Sequence, residues 1–470
     1  MTGLARRLVA ATRGVASRLT WDTIVGRLTD RASRRVRAAL GDRGGAAPAV
    51  VVASGATTRP GRRKLVVLST FTMAPALGGG QLRGLHLYGA LTARFDVELL
   101  CLAQSYEPAG DDVLAPGLRQ VVVPRSAEQR RVELEWEQIV GTTVSDVLAG
   151  ELLPSSGAYL DALRRALVGA DAVLLAHPYL LPALGLLDVE IPALYDAHNC
   201  ELALKELVLG GAPRADEILD RVRAVEAGAL RAAVLTTVCS STDADELARR
   251  YHGVDIDELV LVPNGADIGA TPCTTGAARD QATATFLERY NRRGRRRHPL
   301  RRHLAVFFGS WHPPNVAAAE AIIAAAGELP TCLFVLAGSH VNSVPRRGLP
   351  ANVARVGVVS DASKQTLLRA ATVALNPVVS GSGTNLKLVE ALAAGAPVVS
   401  TVVGARGMPS VDGRHLRLCE PGQLATAVAE VLEDPARHDR ARAGRALVER
   451  DYDWTVLGER MAGAIEQRLR

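Results

Sequence analysis

The chain has 470 residues, of which 48% are hydrophobic and 22% are charged. This length exceeds what one hydrophobic core supports, and the composition excludes a mostly disordered chain. The formal net charge of +6 is unevenly distributed, because residues 1–64 carry +11 and residues 289–303 carry +8. The rest of the chain therefore carries −13, so its main body is mildly acidic.

Apolar residues recur at helical spacing through residues 1–45, with arginines on the opposite face. This pattern predicts a basic amphipathic helical extension, followed by a linker rich in Gly, Ala and Pro that ends near residue 63. Two interpretations of the extension stay open. It packs on the body of the protein, or it lies in the plane of an anionic membrane surface.

From residue 64 to residue 266, short β-branched runs alternate with helical patterns, including a predicted helix over Gly80–Ala93. Continuous apolar strands separated by helices indicate an α/β domain with a parallel sheet covered on both faces. The predicted strands of this first domain are Leu65–Ser69, Val97–Leu102, Val121–Val123, Ala172–Leu175, Ala193–Tyr195, Val234–Val238 and Leu259–Val262.

A polar, arginine-rich stretch over residues 267–303 is predicted to be loop and linker. Its basic segment contains a single aromatic residue, Tyr290, and lacks the basic and aromatic pattern of nucleic-acid-binding surfaces. We therefore expect no nucleic-acid partner.

The α/β rhythm restarts over residues 304–450, and residues 451–470 form a predicted terminal helix. Two doubly wound domains place the expected ligand site at the carboxyl ends of strands, in the cleft between the domains. The predicted strands of the second domain are Leu304–Phe308, Leu333–Ala337, Val353–Val356, Val373–Leu375, Val398–Ser400 and His415–Leu418.

The six cysteines are scattered without a C-x-x-C pair, which argues against a disulfide framework or a zinc site. No apolar run reaches the roughly 18–20 residues of a membrane-spanning helix. Arg13 and Arg18 interrupt the apolar stretch that an export signal at Arg6-Arg7 would require. We expect a cytoplasmic protein, peripheral on the inner face of the cytoplasmic membrane if the extension binds lipid.

The most informative segment runs from Asn376 to Ser400. A predicted strand ends at Asn376, a Gly-Ser-Gly turn follows, and a helix begins near Thr384. The exposed amides of such a turn at a helix N-terminus form an anion site suited to phosphate. Lys387, one of four lysines in the chain, lies in the first helical turn and adds a positive charge.

Glu390 lies one turn after Lys387 on the same face of this predicted helix. Its carboxylate can accept hydrogen bonds from vicinal hydroxyls such as those of a ribose. The alternative is a helix cap with a solvated Lys–Glu pair, which accounts for the charges but not for the Gly-Ser-Gly run. We favour the ligand site.

This segment resembles the donor-binding signature of retaining glycosyltransferases with the GT-B fold, of the glycosyltransferase family 4 or group 1 type. The run from Glu390 to Val399 matches the family pattern E-A-x-A-x-G-x-P-V-V. Ser382 takes the place of a glutamate that usually touches the transferred sugar, as in a sub-pattern G-S-G-T-x-L-K. The resemblance implies roles for Ser382 and Lys387 in catalysis. It implies donor contacts for Gly383, Thr384, Asn385, Leu386 and Glu390.

The resemblance covers nearly everything from Leu65 onward. The loop that ends with Gly79 and Gly80 is similar to the family's glycine-rich loop, which approaches the donor; from the residues alone, a flexible turn is equally favoured. Residues 195–201 resemble the family's D-x-H-N-x-E motif, which implies that His198 is a catalytic residue near the donor phosphates and the acceptor. The loop containing Val358 corresponds to the place of the donor base.

Three further segments extend the resemblance. Residues 262–267 are similar to the family's V-P-N-G-V-D interdomain turn, and residues 308–316 to the opening strand of the nucleotide-binding half. Many members carry an Arg and a Lys for the diphosphate after that strand, and this chain has neither between Gly309 and Asn315. The charge contact then falls to Lys387 and backbone amides. Residues 451–454 resemble the start of the helix that crosses back to the first domain.

The resemblance implies two Rossmann-like domains facing across a cleft, preceded by the helical extension. It implies retaining, metal-independent hexosyl transfer from a nucleotide-diphosphate sugar to a glycan, lipid-linked or small-molecule acceptor, as in polysaccharide biosynthesis, without a cofactor. The sequence shows no D-x-D-like pair in a strand-end loop, no H-E-x-x-H and no Walker motif. A sugar-nucleotide epimerase, or a non-catalytic nucleotide-sugar-binding protein of the same fold, is the alternative.

Overall fold

The computed structural model describes residues 31–40, 61–76, 78–103, 107–292, 300–345, 347–381, 383–410 and 412–470. Residues 1–30 and 41–45 of the predicted extension, and Ser382 of the predicted site, lie outside the described residues. Within the described ranges the chain forms two sheets, one in each predicted domain.

The first sheet is parallel except at one edge, where β3 runs antiparallel to β4. Its strands lie in the order β3-β4-β2-β1-β5-β6-β7-β8. They are β1 Arg63–Ser69, β2 Phe95–Leu102, β3 Gly110–Ala115, β4 Leu118–Val123, β5 Ala172–Leu175, β6 Ala193–Ala197, β7 Ala233–Val238 and β8 Val260–Leu261.

The second sheet is entirely parallel in the described residues, with the order β11-β10-β9-β12-β13-β14. In both sheets the chain starts in the middle and then moves to each side, so a crevice opens beside the first strand of each domain. The strands are β9 His303–Phe308, β10 Cys332–Ala337, β11 Val353–Gly357, β12 Val373–Asn376, β13 Val398–Ser400 and β14 Arg417–Leu418.

Helices connect most of these strands, as the alternating pattern predicts. They are α1 Arg31–Leu40, α2 Gly79–Leu91, α3 Ala127–Val140, α4 Ser145–Leu148, α5 Gly157–Leu167, α6 Pro182–Leu187, α7 Glu201–Leu209, α8 Ala215–Ala232, α9 Ser241–Arg250, α10 Gly276–Arg292, α11 Pro313–Ala326, α12 Asp361–Ala370, α13 Leu386–Ala393, α14 Leu424–Glu433, α15 Arg437–Asp451 and α16 Trp454–Arg468.

Both faces of each sheet are buried. In β1, Val66 and Leu68 belong to one apolar core while Leu65 and Val67 belong to another on the opposite face. The second sheet likewise separates two cores. This arrangement confirms the predicted α/β architecture of two parallel-dominated domains, and it explains why the strands read as continuous apolar runs.

Two local predictions are wrong. The stretch 267–303 is not only loop and linker, because α10 occupies much of it; Thr283, Phe286, Leu287 and Tyr290 bury one face of this helix at helical spacing. The antiparallel strand β3 does not appear among the predicted strands. It is a short, partly exposed edge strand whose polar residues give no apolar run.

The described part of the extension packs on the second domain. In α1, Val36 is fully buried and Ala39 nearly so, within the core beside β11. The Arg37 guanidinium donates to the Val356 carbonyl oxygen, and the Arg35 guanidinium lies 5.5 Å from the Tyr290 ring centroid. For residues 31–40, packing on the protein is therefore the interpretation that the structure supports.

The terminal helix α16 returns to the first domain, where Leu457, Met461 and Ile465 join the core beneath β1. A Cβ placed at Gly458 would lie 2.3 Å from Ala90 Cβ, so only glycine lets α16 approach α2 this closely. The C-terminal helix α16 thus packs on α2 of the first domain.

Candidate active site

The glycine-rich turns of the two domains meet at the interdomain cleft. A Cβ placed at Gly79 would lie 3.2 Å from Leu386 Cδ1, and one at Gly80 would lie 3.9 Å from His198 Nδ1. Gly383 adopts a φ of +64°, and a Cβ there would lie 3.4 Å from the His198 carbonyl oxygen. The structure therefore brings these five predicted residues to one place.

Two helices begin at this meeting point. The first amides of α2 and α13 carry the positive ends of the two helix dipoles. Asn385, the N-cap residue of α13, makes no side-chain capping hydrogen bond, and its Nδ2 donates to Asn376 Oδ1 at 3.3 Å instead. The helix begins two residues after the predicted Thr384. Its first turn can therefore offer amides to an anion.

Thr384 connects the Gly-Ser-Gly turn before α13 to the first domain by hydrogen bonds. Its hydroxyl donates to the Cys239 carbonyl oxygen at 2.7 Å, and its own carbonyl accepts from Asn264 Nδ2 at 2.8 Å. The hydroxyl and the carbonyl of a residue predicted to contact the donor are thus engaged across the cleft. Asn264 comes from the interdomain turn identified in the sequence, and this contact explains why an asparagine stands there.

His198 is a neutral histidine held in one orientation. Its Nε2 lies 3.1 Å from Asp196 Oδ2 and 3.2 Å from the Tyr88 hydroxyl, and its ring meets that of His177 edge-on at 4.3 Å. Burial, reinforced by His177, lowers the pKa of His198 to about 4. Because the Asp196 carboxylate can only accept, Nε2 carries the proton and Nδ1 is an acceptor on the side of Gly80.

The Asp196 carboxylate is itself fixed by a buried arginine that sequence reasoning missed. Arg83 donates to Asp196 through Nη2 at 2.6 Å and Nε at 3.1 Å, and Thr237 Oγ1 donates at 2.7 Å. Burial alone would raise the pKa of Asp196, but Arg83 and His198 lower it well below its ordinary range. Arg83, which stands between Leu82 and the Gly84-Leu85 pair in α2, was the available signal.

Lys387 lies in the first turn of α13 and contacts the second domain's opening loop. Its Nζ donates to Asn315 Oδ1 at 2.5 Å and lies 5.3 Å from the Phe307 ring centroid. Burial and the nearby Arg406 guanidinium lower the pKa of Lys387 to about 8. The site therefore holds a cation whose contact partner is neutral.

Glu390 pairs with a different lysine from the one considered in the sequence. Lys364 Nζ, on α12, lies 2.5 Å from Glu390 Oε1, and both side chains are about one quarter exposed. The alternative of a solvated Lys387–Glu390 pair is therefore wrong. Val358, which follows β11 and precedes α12, is 41% exposed. Glu390, Lys364 and Val358 thus all belong to the second domain, on α13, on α12 and in the loop between β11 and α12.

No group of three or more His, Cys, Asp or Glu residues in the described ranges is arranged to hold a metal ion. The helices in those same ranges include none that is both long and apolar enough to cross a membrane.

A family model described as "Glycosyl transferases group 1" matches residues 302–434. A phosphatidyl-myo-inositol mannosyltransferase of Mycobacterium tuberculosis is 30% identical over 237 residues; the match covers 47% of this chain and 57% of the relative, so it spans little more than half the relative's length. A glycogen synthase of the same organism is 25% identical over 83% of this chain and 92% of its own length.

Solved structures share the fold. Sucrose-phosphate synthase from Thermosynechococcus elongatus superposes with a TM-score of 0.63 at 19% identity, covering 86% of this chain and 99% of that one. Anabaena HepE in complex with UDP-glucose gives 0.60 at 15% identity, with coverage of 86% and 99%. The family match over residues 302–434 shows that the second domain is similar to group 1 glycosyltransferases, and the solved structures show that the chain shares their fold of two Rossmann-like domains.

Proposed function

We propose that the chain moves a hexosyl group from a nucleotide-diphosphate sugar to a glycan, lipid-linked or small-molecule acceptor, with retention of anomeric configuration and without a metal ion. One observation carries this proposal. The ammonium of Lys387, in the first turn of α13, lies against the neutral amide of Asn315, and the N-termini of α2 and α13 meet at the preceding residue, Leu386.

The charge distribution suits a diphosphate leaving group. Negative charge grows on the phosphate oxygens as the bond to the sugar breaks, and preorganised donors that await this charge lower the barrier. His198 is neutral near pH 7 and supplies no positive charge. Lys387, Arg406 and the first amides of α13 supply it, which is the task that a metal ion performs in other transferases.

His198 acts by accepting a hydrogen bond. With the Nε2 proton directed to Asp196, its Nδ1 can accept from a hydroxyl of the transferred sugar on the side of Gly80. In the transfer, the bond between the anomeric carbon and the phosphate oxygen breaks and a bond to the acceptor oxygen forms. The acceptor's proton passes to the departing phosphate, so no group of the protein has to change its charge.

The nucleoside lies at the other end of the cleft. Lys364 occupies one oxygen of Glu390, Oε1, and leaves Oε2 to accept from a ribose hydroxyl. The loop that contains Val358 is the place for the base. This orientation sets the diphosphate between Glu390 and His198, where Lys387 and the helix amides lie.

The named relatives support a nucleotide sugar and leave the acceptor open. Anabaena HepE is described with UDP-glucose, and the mannosyltransferase name specifies a phosphatidylinositol acceptor. Contact of the extension with an anionic membrane, and a cytoplasmic site of action, stay predictions. Flotation with anionic vesicles tests the first, comparing the full chain with a variant that lacks residues 1–30 and keeps α1.

A thermal-shift screen against UDP, GDP, ADP and TDP, followed by their sugars, tests the proposal. A ligand that binds the folded state alone raises the melting temperature by mass action. We expect one nucleoside diphosphate and one of its sugars to stabilise the protein in the presence of EDTA. Stabilisation by none of them, or only after a divalent metal is added, would contradict the proposal.

A further inference from the structure

All four lysines of the chain lie in the described residues, and Lys387 differs from the others in its partner. Lys64, Lys205 and Lys364 each form an ion pair with a carboxylate, at 3.0, 2.6 and 2.5 Å. Lys387 donates to an amide oxygen, and within the described part of the chain no carboxylate lies within ion-pair distance of it. The Lys387 ammonium is therefore positioned by a neutral partner, and no carboxylate neutralises its charge at this contact.

We propose that Asn315 is a positioning residue that presents the Lys387 ammonium to the donor diphosphate and leaves its charge uncompensated, so that diphosphate binding is coupled to uptake of a proton by Lys387. This inference rests on the proposed function. It gives a role to Asn315, a residue to which the sequence pattern assigns none.

The Asn315 amide is oriented by its own contacts. Its Nδ2 donates to the Ser310 carbonyl oxygen at 3.2 Å and to Ser310 Oγ at 3.1 Å, so the oxygen of the amide must point to Lys387. The side chain is buried, and the residue sits in the first turn of α11. The loop after β9 therefore fixes the ammonium over the start of α13.

The surroundings of Lys387 offer little to balance its charge. Burial and Arg406, in the turn after β13, lower the pKa of Lys387, and Glu390 on its own helix raises it only in part, leaving it at about 8. Burial, with a smaller effect of Lys387, also lowers the pKa of His312 and His340. Both imidazoles are neutral near pH 8, so they neither attract nor repel the diphosphate strongly.

The proton linkage follows from these facts. At pH 8 the free site contains both protonated and neutral Lys387, whereas a bound diphosphate favours the ammonium. Binding near pH 8 must therefore take up protons, and affinity must fall as the pH rises further. An aspartate in place of Asn315 would keep the ammonium protonated in the free site and would compete with the phosphate for it.

Calorimetric titration at pH 8, in two buffers of different ionisation enthalpy, measures both affinity and proton uptake. The probes are UDP and GDP, with inorganic pyrophosphate as the ligand without a base. We expect the wild type to take up protons. We expect Asn315→Asp to bind the nucleotide about tenfold more weakly or worse and to take up none. Asn315→Leu, which removes orientation without adding charge, should bind more weakly and still take up protons.

Matched controls separate this role from a purely structural one. Asp is favourable near a helix N-terminus, so Asn315→Asp should fold, and its melting curve checks this. Lys64→Met, far from the cleft, should leave affinity and proton uptake unchanged. Equal losses in the Asp and Leu variants with unaltered proton uptake would overturn the inference, and so would nucleotide binding by the wild type without proton uptake. Absence of binding by every probe would overturn the proposed function as well.

Discussion

At the scale of single residues, partners set the chemistry of the cleft. Asp196 is fixed as a carboxylate by Arg83, and that carboxylate fixes the tautomer of His198. Removing one member of such a buried ion pair typically costs about 3–5 kcal/mol, because the other charge is left uncompensated. The buried network of Arg83 and Asp196 therefore determines the orientation and the tautomer of His198, and so the chemistry that His198 can offer to a ligand.

Buried neutral histidines make the folded state sensitive to acid. Burial lowers the pKa of His198 and of His340 to about 4, below the unfolded value of about 6.5. The unfolded state therefore binds more protons than the folded state between these values. Stability that is full above pH 6.5 is lost as the pH falls toward 4, by about 2 kcal/mol for each histidine at pH 5.

We expect His340→Asn to flatten this acid dependence. An asparagine amide can replace the Nδ1 donor to the Gly309 carbonyl oxygen without introducing a titrating ring. Urea denaturation at pH 7 and pH 5 gives the free energies of unfolding to compare. His252→Asn, at an exposed position, is the control and should keep the wild-type slope. An identical pH dependence in the His340 variant and the wild type would refute the assignment.

The contribution of Glu390 should be measurable as a preference for nucleotides that carry a ribose over those that carry a 2′-deoxyribose. Its free carboxylate oxygen accepts from a ribose hydroxyl in our account, so the wild type should bind a ribonucleoside diphosphate more tightly than its 2′-deoxy analogue. Glu390→Gln should lose most of that preference, by about tenfold in affinity ratio. Glu430→Gln, at an exposed position of α14, should retain it. Unchanged discrimination after Glu390→Gln, measured calorimetrically, would remove Glu390 from the ribose site.

At the scale of elements, α10 shows how one buried side chain positions others. The Arg279 guanidinium donates to the carbonyl oxygens of Thr274, Leu368, Ala371 and Ala394 at 2.6–2.8 Å. The last three belong to the C-terminal ends of α12 and α13, whose orphan carbonyls need partners. The helices that carry Lys364 and Glu390 are thus joined at their far ends by α10.

Arg279→Met should destabilise the second domain by about 3 kcal/mol or more, since several buried carbonyl groups lose a charged donor. Arg292→Met on the same helix removes only an exposed pair with Glu288 and should cost less than about 1 kcal/mol. Chemical denaturation of both variants measures the difference. Equal destabilisation by the two substitutions would contradict the role given to Arg279.

At the scale of the whole molecule, contacts among the described residues join the two domains across the cleft. Thr384 and Asn264 hydrogen-bond across it, and α16 packs the end of the chain against α2. A closed cleft excludes water from the reacting groups and strengthens each electrostatic contact inside it. His198 of the first domain and Lys387 of the second domain can therefore act on one ligand only when the two domains are packed together.

The sequence was sufficient for the α/β fold and for the glycine-rich turn before Lys387, because apolar strands and such turns are local signals. The expected position of His198 came from the family resemblance. The sequence was insufficient for α10, because the polar and arginine residues of this segment obscure the helical spacing of its apolar residues. The Arg83–Asp196 and Lys364–Glu390 pairs join residues 113 and 26 positions apart, and spacing along the chain does not reveal such partners. Asn315 ends the segment in which the family's Arg and Lys are missing, but its contact with Lys387 required the structure.

We propose above all that the protein performs retaining transfer from a nucleotide sugar. Proton NMR of the product formed from the donor found in the thermal-shift screen, with EDTA present and a panel of alcohol acceptors, tests it most directly. We predict a glycoside with the same anomeric configuration as the donor, and no product from a Lys387→Met variant. A product of inverted configuration, or a sugar nucleotide isomerised without transfer, would contradict the account.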